Sequence, residues 1–377
     1  MPRARLTVAA CVLAFLEPWE RGFAGVGLAA GAEPVRTEGA AGASAAQLDA
    51  LPDLPDGFHL DIDSITMALG SHHTCALEYR PGVDFGGPVR CWGSDDYGQG
   101  SAPQGLFMQL GAGRRHSCGV RTDQTLACWG SSPWAPEGLW QQVSVGAHHT
   151  CALSTDGLAT CWGSDISGTV HPPATVKFVQ LSAGADVSCG ITTTGLVRCW
   201  GSDFRGQATP PRGVRFRQIS ASPTQHVCGV TLEGDLVCWG RNHGGEGVAH
   251  RPGPWKQVSC GQWRTCAIRG ESFDGIGGGG GGDFGGDFDG SDDSDGSAAK
   301  PGVSPARAFN VPGSIVCWGE QILGPSIPVA EAQDKYDEIS TSDYHSCAVT
   351  SAGELRCWGD HRVDRGSSRV PEGFEAA

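Results

Sequence analysis

Short apolar or alternating runs recur along this chain, each closed by glycine, aspartate or serine. One unit shows the pattern. It runs Trp140-Gln141-Gln142-Val143-Ser144-Val145-Gly146, then Ala147-His148-His149-Thr150, then Cys151-Ala152-Leu153. Ser154-Thr155-Asp156-Gly157 follows, and then Leu158-Ala159-Thr160-Cys161-Trp162-Gly163. Runs this short, bounded by turn formers, read as strands joined by tight turns. The triplet Cys-Trp-Gly closes such a unit seven times, beginning at Cys91, Cys128, Cys161, Cys199, Cys238, Cys317 and Cys357. The steps between triplets are 37, 33, 38, 39, 79 and 40 residues, and the step of 79 is one repeat plus an insertion. A unit of about 40 residues with three or four strands has the size of a propeller blade. The chain is therefore predicted to be all-β, a seven-bladed β-propeller over residues 58–377.

A second cysteine precedes each triplet: Cys75, Cys118, Cys151, Cys189, Cys228, Cys266 and Cys347. Cys151 and Cys161 are symmetric about Asp156, so a three-residue loop would set them opposite one another on antiparallel strands. Such loops favour glycine last, because that position needs a left-handed backbone. Gly157, Gly195, Gly234 and Gly353 stand there, and Gln124 in the second unit. Directly opposed residues have Cα atoms about 4.5–5.5 Å apart, within reach of a disulfide. The predicted bridges are Cys118–Cys128, Cys151–Cys161, Cys189–Cys199, Cys228–Cys238 and Cys347–Cys357, with Cys75–Cys91 and Cys266–Cys317 closing longer loops. Cys260 stands where other units have Val145 and Ala183, and reads as a buried free thiol. The spacing lacks a tight zinc knuckle, and neither a metal site nor a cofactor is expected.

Other repeated positions read as scaffold. Phe107, Trp140, Phe178, Phe216, Trp255 and Tyr336 each stand six residues before the residue that ends the first strand, and Ser64 holds that place in the first unit. The triplet tryptophans are expected to pack between blades. His73, His116, His149, His226 and His345 stand two before the first cysteine, and Val187 and Arg264 replace them elsewhere. That broken symmetry favours a turn-stabilising role over a ring of metal ligands. Pro371-Glu372-Gly373-Phe374 resembles the approach to Trp140, so the C-terminal segment is expected to complete the first blade, with Phe58 a rival for the slot.

Composition adds the setting. Fifty-eight glycines fit many tight turns, and the net charge of −14 disfavours nucleic-acid binding. Sixteen cysteines suit an oxidising compartment. Two arginines precede the apolar run Leu6 to Leu16, and Ala30-Gly31-Ala32 fits a cleavage site, so residues 1–32 read as a signal peptide and 33–57 as an Ala/Pro-rich linker. The expected location is secreted, periplasmic or cell-surface, with no transmembrane segment. Residues 271–310, inside the sixth hairpin, read as a disordered Gly/Asp-rich insertion. Ser291, Asp293, Asp295 and Gly296 echo a calcium loop only faintly, since Gly302 stands where a final glutamate belongs, so calcium is not expected there.

The motifs Gly70 to Leu77, Trp92-Gly93-Ser94-Asp95 with Gly98-Gln99, and Trp200-Gly201-Ser202-Asp203 with Gly206-Gln207 resemble the RCC1 repeat family, named for the regulator of chromosome condensation. The resemblance covers residues 58–377 apart from the insertion. It implies a seven-bladed propeller of four-stranded blades, and it resembles the exported, cysteine-rich bacterial variants more than the nuclear exchange factors. No exchange-factor residues carry over.

Turn topology puts the histidine turns and the Trp-Gly-Ser-Asp turns on one face. That face gathers His72, Asp95, Tyr97, His148, Asp165, Asp203 and Phe204 as candidate binding residues. No nucleophile elbow, His-Glu-x-x-His or Walker loop is present. The leading expectation is a non-enzymatic, exported protein-binding propeller, an interaction scaffold whose partner is another protein. Alternatives are a secreted enzyme inhibitor, similar in fold to the β-lactamase inhibitor protein II type, and a polysaccharide-active propeller enzyme.

Overall fold

Apolar runs and turns become seven antiparallel sheets. The computed structural model describes residues 66–78, 86–243, 245, 247, 250–271, 312–319, 334–359, 363–374 and 376. All lie in the second of two units into which the chain divides, Ala43–Ala377. The segments read as signal peptide and linker, Phe58, Ser64 and insertion residues 272–310 lie outside the described residues.

Blade 1 is Met67–Leu69, His73–Leu77 and Val89–Gly93; blade 2 is Phe107–Ala112, His116–Arg121 and Leu126–Gly130. Blade 3 is Trp140–Val145, His149–Ser154 and Ala159–Gly163; blade 4 is Phe178–Ala183, Val187–Thr192 and Val197–Gly201. Blade 5 is Phe216–Ala221, His226–Thr231, Leu236–Gly240 and His250–Arg251. Blade 6 is Trp255–Cys260, Arg264–Arg269 and Ile315–Gly319; blade 7 is Tyr336–Thr341, His345–Thr350 and Leu355–Gly359. The four-stranded blade implied by the family resemblance is found only in blade 5 among the described residues. The linkers that would supply the fourth strand elsewhere carry Pro103, Pro136, Pro172-Pro173 and Pro210-Pro211, and proline has no N–H to give to a ladder. Isolated bridges, Gly87 to Phe107 and Leu196 to Arg215, are what remains there.

The cysteines of each pair are direct partners in the middle–outer ladder. All seven pairs are bonded, with Cα atoms 4.0 to 4.1 Å apart. Gly157 turns with φ 86°, and Gln124 adopts the same left-handed backbone at φ 67°.

The core lies between blades. Ala68, Cys75 and Leu77 of blade 1 pack on Phe107, Leu110 and Trp129 of blade 2, and the same pattern repeats around the ring. The inner strands line a central channel. Two polar devices bind neighbouring blades. A loop carbonyl, Gln99, Thr169, Gln207 or Ser367, accepts the indole N–H of Trp129, Trp200, Trp239 or Trp92 at 2.8 to 3.0 Å. On the inner strands, a buried glutamine clasps the next blade's backbone. Gln109 donates to Val143 O (2.9 Å) and accepts from Val143 N (2.6 Å); Gln142, Gln180 and Gln218 do the same to Leu181, Ile219 and Val258. Gln257 accepts from Ile339 N at 2.8 Å.

At the seam between blades 7 and 1 the clasping residue is Glu338. Its Oε2 accepts from Thr66 N (3.1 Å) and Thr66 Oγ1 (2.6 Å). Burial pushes the carboxyl from its ordinary 4.5 up to about 7, against the opposing pull of bonds from Thr66 and Met67 and of Lys256. A protonated carboxyl carries an O–H, the donor that the amide supplies elsewhere. Because the folded value is the higher one, the full contribution is present below pH 4.5 and is lost as pH rises through 7. Glu338→Gln should therefore abolish a decline in melting temperature between pH 4.5 and 7. It should stabilise the protein by about 1–3 kcal/mol at higher pH. Parallel melting curves for the two proteins across this range would refute the assignment.

The C-terminal segment reaches blade 1. Phe374 lies 5.5 Å from Trp92, as Phe107 lies 6.0 Å from Trp129 in blade 2. Ala376 bridges Glu78, the residue equivalent to Arg121, which pairs with Phe107.

Candidate binding face

Each inner strand ends in a Gly-x-x-His-type turn, and each outer strand ends at Trp-Gly on the same side. Hydrogen bonds tie the two together: Ser94 N donates to His72 O, Ser131 N to Arg115 O, Ser164 N to His148 O and Ser202 N to Asp186 O, at 2.8 to 2.9 Å. Glycine ends the outer strand because its left-handed backbone lies against the histidine turn; a Cβ on Gly93 would meet His72 O at 2.6 Å.

The buried histidines belong to the scaffold. His73, His116, His149, His226 and His345 each place Nε2 2.7 to 3.0 Å from a hydroxyl of the next blade: Ser117, Thr150, Ser188, Thr265 and Thr74. Burial lowers His73, His116 and His149 to about 4 and His345 to about 3, so they are neutral links at physiological pH. One potential metal trio exists among the described residues, with ligand atoms of His226, Cys228 and Cys260 within 4.8 Å of one another. Cys228 is bonded to Cys238, which removes its thiolate from coordination. Cys260 is a free, buried thiol pushed up to about 12 by desolvation, too protonated to act as a nucleophile.

The side chains on this face divide into two kinds. Asp95 and Asp203 are exposed, but their carboxylates hold their own loops. Asp95 accepts from Gly100 N and Ser101 Oγ, both at 2.7 Å; Asp203 accepts from Ala208 N (2.8 Å) and Thr209 Oγ1 (2.7 Å). Asp165 pairs with His171 at 3.2 Å. His72 stacks on Tyr344 at 4.8 Å and its Nδ1 lies 3.1 Å from Val363 O. Burial first, then Arg365, lowers its pKa; burial, then Arg114 and Arg115, lowers that of His148.

The second kind is apolar. Ile166 is 85% exposed, Phe204 79%, Trp134 60% and Tyr97 46%, four or five residues after successive triplet tryptophans in four adjacent blades. Arg115 lies 4.4 Å over Tyr97 and Arg205 5.0 Å over Phe204. A cleft of about 350 Å³ opens beside this arc, lined by His148, Ile166, Asp186, Thr224, Gln225 and Arg241. Trp134 and Ile166 were not singled out from sequence. Their common offset from the triplet tryptophan is the signal that finds them.

Seven radially arranged sheets closed around a channel define a β-propeller. The Regulator of chromosome condensation (RCC1) repeat matches residues 140–168, 178–207, 216–246 and 337–363, in blades 3, 4, 5 and 7. Among solved structures, the fold is similar to the CRINKLY WD40 ectodomain of the receptor kinase ACR4 from Arabidopsis thaliana. That match has 21% identity over 83% of this chain and 97% of that one, at a TM-score of 0.55. It is also similar to the ectodomain of the receptor kinase CR4 from Physcomitrella patens, with 20% identity over 78% and 73% of the two chains and the same TM-score. No curated protein matches the sequence.

Proposed function

We propose that this chain is an exported, non-catalytic propeller that binds another protein through the face carrying the histidine and Trp-Gly turns. The observation that carries this reading is the exposed arc of Tyr97, Trp134, Ile166 and Phe204, in which the Tyr97 and Phe204 loops are held by their own aspartates. Aromatic and arginine side chains dominate the energetics of protein interfaces, and pre-organised loops reduce the ordering entropy on binding. Arginines stacked on two of these rings add to that character. A catalytic reading would need free carboxylates, whereas Asp95 and Asp203 are engaged within their own loops. Seven disulfides are consistent with export to an oxidising compartment, and no helix among the described residues is long and apolar enough to cross a membrane.

The test is affinity capture from the envelope and secreted fractions of the producing cells. A protein partner should be retained by the native chain. It should bind about tenfold or more weakly to Trp134→Ala/Phe204→Ala, with an unchanged melting temperature. Retention of glycans alone would overturn this function, and unaltered capture by the double variant would place binding elsewhere.

A further inference from the structure

Four blades have their Trp-Gly turn capped by the loop of the preceding blade. The capping residue is Ser367 over blade 1, Gln99 over blade 2, Thr169 over blade 4 and Gln207 over blade 5. Its carbonyl accepts the indole N–H of Trp92, Trp129, Trp200 or Trp239. In three of the four it also accepts a hydroxyl, from Thr74, Ser117 or Ser188, at 2.9 to 3.3 Å. A left-handed glycine precedes every capping residue: Gly366, Gly98, Gly168 and Gly206, with φ from 78° to 86°. The cap is thus a glycine turn that delivers one main-chain carbonyl.

Blade 3 has no such cap. Trp129 stands 11 positions before the next inner aromatic, Trp140, whereas Trp92, Trp162, Trp200 and Trp239 stand 15 or 16 before theirs. The shorter loop, Ser131-Ser132-Pro133-Trp134-Ala135, has neither the glycine nor the aspartate of the Asp95, Asp165 and Asp203 loops. A Cβ on Gly93, Gly130, Gly201 or Gly240 would meet the capping residue at 3.1 Å, but the atoms nearest one on Gly163 all belong to His148 and His149. Gly163 is exposed, and Trp162 is half-buried where Trp129, Trp200 and Trp239 are buried. Thr150, the equivalent of Ser117, is buried against His116 Nε2 at 3.0 Å. The Trp162 indole N–H has no acceptor among the described residues, and it is not sealed in as that of Trp140 is. Trp134, 60% exposed, stands edge-on to Trp162 with ring centroids 5.9 Å apart.

We propose that Trp162, Gly163 and Trp134 form a notch that receives a glycine turn of the partner protein, whose main-chain carbonyl accepts the Trp162 N–H. This rests on the protein-binding reading above and names what the partner presents there. An indole N–H in contact with water is satisfied, but one covered without an acceptor loses that hydration. Trp134 and Trp162 touch, so a partner lying on Trp134 also covers the Trp162 N–H and has to bring an acceptor. The other blades show which acceptor fits this register: a carbonyl that follows a left-handed glycine, on glutamine, threonine or serine. With no side chain, Gly163 lets that backbone approach as closely as Gln99 approaches Gly130. The partner thereby supplies from outside the cap that the short loop of blade 2 does not reach.

Nuclear magnetic resonance of the full-length protein, isotope-labelled at its tryptophan indole nitrogens, tests this, with the Trp162 signal assigned by its loss in Trp162→Phe. In the free protein this N–H should exchange with solvent about a hundredfold faster than those of Trp92, Trp129, Trp200 and Trp239. The probe is a synthetic peptide of residues 94–103, joined end to end, which carries Gly98-Gln99. It should move the Trp162 signal alone and slow its exchange about tenfold at saturation. The same peptide with Gly98→Ala should bind about tenfold more weakly, because alanine resists the left-handed turn. Trp162→Phe, which keeps an aromatic ring in place, should weaken partner capture about fivefold. Slow exchange of Trp162 in the free protein, no response to the peptide, or equal binding of the two peptides would each overturn the notch. A Trp162 signal that responds to protein concentration alone would assign it to a second copy of the chain and overturn it too. A response to the peptide from a chain that captures no protein would support the notch while overturning the protein-binding function, so the two failures are distinguishable.

Discussion

Replacing Cys266 and Cys317 together by alanine should lower the melting temperature more than removing any other cysteine pair. The seven bridges share the same place in the ladder and the same Cα separation, so their local contributions are alike. They differ in the loop they close: 51 residues for Cys266–Cys317, 16 for Cys75–Cys91 and 10 for the other five. A cross-link stabilises chiefly by removing freedom from the unfolded chain, and that freedom grows with the logarithm of loop length. The chain-entropy relation gives about 4 kcal/mol for the longest loop and about 3 kcal/mol for the shortest. For a chain of this size the larger loss corresponds to a fall of roughly 10 °C. Calorimetry of the Cys266/Cys317 and Cys151/Cys161 double variants decides the matter. An equal or larger loss in the second would show that ladder geometry, rather than loop length, sets the contribution.

Removing residues 371–377 should loosen blade 1 and, through it, the whole ring. Blade 1 has Thr66 where blade 2 has the clasping Gln109. The C-terminal segment compensates. Phe374 covers Trp92, Val370 and Ala376 join the cluster around Met67 and Leu69, and Ala376 bridges Glu78. Losing one half-buried aromatic costs about 1–3 kcal/mol, and the loss of Ala376 with its bridge adds to it. Amide exchange in His73–Leu77 should accelerate before that in blade 4. A truncated protein with unchanged melting temperature and exchange would show that ring closure does not depend on this segment.

Much of the scaffold was legible because it is written repeatedly. Cys-Trp-Gly marks the end of every outer strand, and the paired cysteine marks the middle strand, so blade number and bridge register follow from spacing. The clasp was harder to see. Gln109, Gln142, Gln180, Gln218 and Gln257 stand two residues after the inner aromatic, where an isolated strand would read as alternating polar and apolar. Only the neighbouring blade reveals that these amides bond backbone. Glu338 has the same offset, and its altered protonation follows from complete burial, a tertiary property. The turns that carry the candidate residues were legible, but the hydrogen bonding of those residues was not. Asp95 and Asp203 looked like ligands because residue type does not disclose where a carboxylate's hydrogen bonds go. Trp134 was masked by the prolines beside it, and the lack of a fourth strand among the described residues of blades 1 to 4 by a family expectation that the linker prolines oppose.

The glutamine clasp also governs how this molecule can change over generations. Each amide reads only the N–H and C=O of the adjoining strand, groups that every residue other than proline presents. The fastening is therefore indifferent to the recipient's side chains, and a blade can be duplicated, exchanged or given new loops without redesigning its neighbour. The two joints of blade 1, with Glu338 on one side and Thr66 in the glutamine's place on the other, are not interchangeable with the rest, so they mark an origin on an otherwise uniform ring.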